Sequence, residues 1–172
     1  MIRPILLLPH PVLGRPCLRV GEIDDVARAV AADLVDTMRA SAHSVGVAAP
    51  QIGVSLRVFC LDVTGHPKAR SCHGEVVLLN PEVVETEVVE TDGAGAQVGR
   101  EGCMSVPDLT GDVARASVAV VRGMTPEGEE RELELDAFEA RAAQHELDHL
   151  DGLLFLDRLV AADRVFRRRT YR

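Results

Sequence analysis

The chain has 172 residues, 47% apolar and 27% charged, enough for one self-sufficient core and too ordinary a composition for disorder. Aromatics are only 3% with no Trp, so the core must be aliphatic, and stacking platforms for single-stranded nucleic acid are disfavoured. A formal net charge of −8 argues against DNA binding by the body of the protein, although residues 157–172 carry six Arg against Asp157 and Asp163.

That tail is +4, which leaves −12 on residues 1–156 and makes the tail a candidate contact of its own. Four cysteines lie far apart with no CxxC pair, which fits a reducing compartment. The apolar run Ile5 to Leu8 stops at Pro9, too short for a signal segment, and no stretch approaches membrane-spanning length. The expectation is one cytoplasmic domain, residues 1–172, acting as a monomer.

Taken in order, residues 1–23 contain Pro4, Pro9, Pro11 and Pro16 and read as an extended arm with turns and no helix. From Asp24 or Asp25, a good N-cap, the repeat Val26, Val30, Leu34, Met38 predicts an amphipathic helix to about Ala42. The small residues of Ser44–Gly53 make a tight connection in which Gln51 is the one long polar side chain. Strands are predicted over 56–63, 75–79 and 83–90. Between the first two, Thr64 to Gly74 reads as a polar loop whose His66, Cys72 and His73 lack metal-ligand spacing. Gly93, Gly95 and Gly99 do not form GxGxxG, so a flexible loop is expected to lead into Glu101-Gly102-Cys103-Met104-Ser105. Strands over 113–121 and 131–135 form an antiparallel pair through a turn at Gly128.

A second helix is predicted from Asp136, with Glu139 completing a capping box and Gly152 ending it. Its inward stripe is Phe138, Ala142, His145 and His149. His145 and His149, at i and i+4, can converge on one metal ion, and Glu146 can reach a water on that ion without ligating it. Gln144 and Asp148 are either supports of these ligands or solvated helix-face residues. The Arg-rich tail is expected to add a short basic helix. HExxH alone fits several metallohydrolases, and two His leave the third ligand open.

Three stretches, GVAAPQ (46–51), EGCMS (101–105) and QHELDH (144–149), closely resemble the three motifs of the peptide deformylases, and HLDGLLFLDRL (149–159) is also similar. The resemblance implies an α+β fold, with antiparallel sheets around a central helix bearing HExxH. It implies Cys103 as the third ligand beside His145 and His149. It implies one divalent ion per chain, Fe(II) physiologically, with Zn(II), Ni(II) or Co(II) able to occupy purified material. The implied reaction releases formate from N-formylmethionyl nascent peptides, with Glu146 as base and then acid, and with Gln51 and the Met104 backbone N–H as oxyanion donors. Val45, Gly46, Glu101, Phe138 and Ala142 would bind substrate, Gly46 through its backbone. That activity would bring the tail near the ribosome. The chain departs from the family pattern at Ser44, where Gly is usual, and at Met104, where Leu is common; Asp108 to Asp112 also lacks a basic residue some relatives carry. The alternatives are a zinc peptidase, although no His follows His149, and a non-catalytic relative.

Overall fold

The computed structural model describes residues 1–87 and 96–168. The N-terminal arm is extended, as expected, except for a 3-10 turn at Pro11–Gly14, where His10 caps the Val12 N–H and proline suits the first turn. Helix α1, Asp25–Ala40, begins where Asp24 accepts the Ala27 N–H at 2.8 Å. Its buried face is Ala27, Val30, Ala31, Leu34 and Met38, whereas Val26 is 65% exposed. A strict four-residue repeat outruns 3.6 residues per turn, so the stripe is displaced at its first position.

Strand β1 (Gly46–Ala48) leads through a 3-10 turn (Ala49–Ile52) to β2 (Val58–Leu61). Every residue of β2 is buried, because both faces of its sheet are covered. Val58 and Cys60 pack in a cluster with α1, while Phe59 and Leu61 face a second helix, the alternation that a period of two requires. β3, Val76–Glu87, is one strand where two were expected. It passes Asn80-Pro81 with a register shift, and Asn80, at φ 51°, bonds both backbone groups of Val20, so the bulge is pinned from the arm. Residues 88–90 and Gly93 and Gly95 of the expected strand and loop lie outside the described residues.

The expected loop at Gly99 is instead β4, Gln97–Cys103, paired antiparallel with β5, Val106–Arg115. The expected strand 113–121 is divided at Ala116-Ser117, with its second half in β6, Val118–Met124, which belongs to the other sheet. Gln144 holds that break by accepting the Ala116 N–H and donating to the Ala116 carbonyl. β7, Glu130–Asp136, pairs antiparallel with β6 as expected. The sheets have orders β1-β2-β3-β6-β7 and, once the tail strand β8 (Val165–Arg167) is included, β4-β5-β8. Among the described residues the tail is thus a 3-10 turn (Phe155–Arg158) and a strand on β5, where a short basic helix was expected.

Helix α2, Ala137–Leu150, lies against the first sheet through Ala140, Ala143, Leu147 and Leu150. No capping box forms at its start. Asp136 makes no side-chain cap bond, and Glu139, fully buried, is taken by Ser71 Oγ (2.6 Å) and by the backbone N–H (2.8 Å) and Nδ1 (3.0 Å) of His73. The far end closes as expected at Gly152, φ 75°, where a Cβ would meet the Arg15 and Pro16 backbone at 2.7–2.9 Å. Gly152→Ala is expected to lower unfolding free energy by more than about 2 kcal/mol in urea titration, combining left-handed strain with a backbone clash. A loss under about 0.5 kcal/mol, the surface norm, would show that the arm yields freely.

Candidate metal centre

Helical spacing places His145 and His149 on one face of α2, with ring centroids 5.1 Å apart and planes 77° apart. Cys103 ends β4, where the pairing with β5 shifts register between Gly102 and Cys103; a bulge of this kind re-aims a side chain. The shift turns the thiol towards the helix, with Sγ 3.2 Å from His149 Nε2. The ligand atoms of Cys103, His145 and His149 all lie within 4.8 Å of one another, the only such group among the described residues. One thiolate with two imidazoles suits a divalent transition metal, and three ligands leave a coordination position open.

Glu146 stands beside this triad and is 4% exposed. Its Oε2 is buried with no hydrogen-bond partner, an orphan that a ligand or water in the site would satisfy. Burial pushes its carboxyl up to about 7. Gly46 is required here, since a Cβ would fall 2.6 Å from Glu146 Oε1. The neighbouring Ser44 carries no strain: its φ is not positive, and its hydroxyl donates to the Gly46 carbonyl at 2.9 Å. Gln51 is also buried. Its Oε1 accepts the Ala48 N–H at 3.0 Å, which turns its NH₂ inward, 3.2 Å from Ser105 Oγ and 3.5 Å from Cys103 Sγ.

Glu101 holds this arrangement from behind. It receives Arg115 Nε and Nη2 at 2.9 and 3.0 Å, Arg141 Nη1 at 2.8 Å, and lies 2.9 Å from His145 Nδ1. Burial opposes its charge, but the bonds from His145 and Arg115 outweigh it and hold the carboxyl far below the usual range. With Nδ1 engaged by Glu101, His145 presents Nε2 to the site. Arg115 continues to Asp148 at 2.5 Å, and Asp148 takes Arg158 at 3.0 Å. Asp148 is therefore a buried support, while Gln144 serves the β5–β6 junction instead. Arg158 and Arg164, which bonds Asp112 weakly at 3.9 Å, leave the tail less free positive charge than its composition promised.

The triad opens into a cavity of about 650 Å³ lined by Val45, Gly46, Met104, Phe138 and Ala142. Its wall continues with His66, whose ring stacks on Phe138 at 3.6 Å and 4°. The polar-loop expectation missed this residue, because a loop His gives no signal of the ring it will meet. Arg115 and Arg141 were missed too. Arg141, four residues before His145 on the helix face that carries the two His, was the one local clue.

An open ligand triad beside a buried carboxylate is the layout of hydrolytic enzymes rather than of structural metal clips. A family model described as polypeptide deformylase matches residues 2–165. A peptide deformylase of Acidobacterium capsulatum is 39% identical over 164 residues, spanning 95% of this chain and 90% of its own. One from Halothermothrix orenii is 42% identical over 150 residues, 87% of this chain and 88% of its own. Among solved structures, the Thermotoga maritima peptide deformylase matches with TM-score 0.81 at 32% identity, covering 94% of this chain and 99% of that one. A class I type b peptide deformylase of Acinetobacter baumannii, solved with Met-Ala-Ser bound, matches with TM-score 0.78 at 31% identity, covering 92% and 99%. The chain belongs to the peptide deformylase family, enzymes that remove a formyl group.

Glu101→Gln is expected to weaken divalent-metal binding about 10- to 100-fold in competition with a chromophoric chelator, the usual cost of losing a ligand's supporting bond. Unchanged affinity would mean that Glu101 only ties the strands together.

Proposed function

We propose that this protein hydrolyses the N-formyl group of N-formylmethionyl nascent peptides in a metal-dependent reaction, releasing formate and a free amine. The observation that carries the reading is the Cys103, His145, His149 triad open to an apolar cavity, with the partnerless Glu146 Oε2 beside it. A divalent ion held there, Fe(II) in the cell, supplies Lewis acidity towards a water and the formyl carbonyl. Glu146 takes the proton of the attacking water and returns it to the leaving amine. The Gln51 NH₂, aimed by Ala48, and the Met104 backbone N–H donate to the developing oxyanion, each worth about 3 kcal/mol.

The methionine side chain fills the apolar wall of Val45, Phe138 and Ala142, extended by His66. The peptide runs in strand fashion between β1 and β4, each the terminal strand of its sheet. The Met-Ala-Ser bound to the Acinetobacter relative supports a peptide beginning with methionine. Such substrates place the protein in the cytoplasm; no described helix is long and apolar enough to cross a membrane.

Anaerobically loaded with Fe(II) or Ni(II), the protein is expected to release formate from formyl-Met-Ala-Ser. Absence of formate, or cleavage of unformylated peptides instead, contradicts the reading. Glu146→Ala should retain one metal equivalent by elemental analysis and lose about 10²–10⁴-fold in rate. Cys103→Ala should lose the metal, and an ion retained there at full occupancy would remove Cys103 from the ligand set.

A further inference from the structure

The protein as a whole is acidic, at −8, yet its cavity wall carries Lys68, Arg100, Arg141 and Arg168 against only Glu101 and Glu146. Two of the cations are already engaged. Arg141 is bonded to Glu101 and to the Val113 carbonyl, and Arg100 pairs with Asp112 at 2.6 Å while lying over the Phe166 ring. Neither acid is available to the remaining two: Glu101 is saturated by Arg115, Arg141 and His145, and Glu146 is buried beside the ligand triad. Among the described residues, Arg168 and Lys68 have no carboxylate partner.

Arg168 owes its position to topology. β8 pairs with β5 through Leu109↔Arg167 and Thr110↔Phe166, and the Arg168 N–H donates to the Asp108 carbonyl at 2.8 Å. Its guanidinium lies against Gly102, in the space where a side chain would sit, one residue from the ligand Cys103. The stretch 108–112 has no basic residue of its own, so the tail strand delivers a cation there from elsewhere in the sequence.

We propose that Arg168, assisted by Lys68, recognises a carboxylate on the peptide downstream of the formylated methionine. This rests on the deformylase reading above. An exposed guanidinium on the cavity wall, with no carboxylate partner among the described residues, presents a fork of N–H donors matched to a carboxylate. A peptide extended from the triad rises about 3.3 Å per residue, so its second or third residue carries a side chain out along the cavity wall.

The test compares kcat/KM for C-terminally amidated formyl-Met-Ala-Xaa peptides with Xaa Glu, Ala or Lys, at low ionic strength. Glu is expected to exceed Lys by roughly tenfold, with the ratio shrinking as salt screens it. Arg168→Gln should flatten the Glu-to-Lys ratio, Arg168→Lys should preserve it, and Arg168→Glu should invert it, which misfolding cannot mimic. A parallel arm uses formyl-Met-Ala-Ala as free acid and as amide. A preference for the acid without one for the Glu side chain assigns the site to the chain end of short peptides, and a preference for Glu assigns it to an acidic residue. Equal turnover of all peptides, or a ratio untouched by the charge reversal, overturns the inference while leaving the deformylase reading intact. No turnover of any peptide defeats the deformylase reading itself.

Discussion

The Glu101 carboxylate joins the three parts on which the site depends. It lies on β4, two residues before Cys103; it bonds His145 on α2; and it takes guanidinium groups from β5 and α2. A buried charge costs several kcal/mol unless it is paired and hydrogen-bonded, so this carboxylate is tolerated only where all of these donors meet it. The same requirement fixes the donors. β4 and β5 belong to the small sheet, and α2 packs on the large one, so the ion network is the polar seam between two sheets that share no strand.

The candidate ligand set follows from that seam. A helix alone supplies two imidazoles at fixed spacing, and a strand end alone supplies one thiol. Only their docking brings the three ligand atoms within reach of one ion. Gln51 arrives by a third route, a 3-10 turn whose backbone aims the amide inward. Gly46 then admits Glu146 by offering no side chain against it. Apolar packing of Phe59, Leu61, Leu135 and Leu150 positions α2, while the polar groups set the orientation of what it carries.

Much of this was legible in the sequence wherever a local rule governs. Asp24 caps α1, Gly152 ends α2, and His145 and His149 share a face because helix geometry alone decides these things. The proposal of Cys103 as a third ligand needed the resemblance, since nothing local distinguishes it from a buried hydrophobe. The failures share a physical reason. The strand break at Ala116-Ser117 and the bulge that carries β3 through Asn80-Pro81 are set by Gln144 and Val20, distant in sequence, and the described part of the tail became a strand because β5 offered it an edge. The Asp136 and Glu139 pattern has the composition of a capping box, but Ser71 and His73 compete for Glu139 and win. Arg115 and Arg141 gave little signal because their partners lie 14 and 40 residues away.

The central claim is that a strand thiol and two helix imidazoles bind one ion. X-ray absorption at the metal edge of the Zn(II)-substituted protein tests it most directly. The predicted first shell holds one sulfur at about 2.3 Å with nitrogen or oxygen at about 2.0–2.1 Å. A shell of nitrogen and oxygen alone would contradict it.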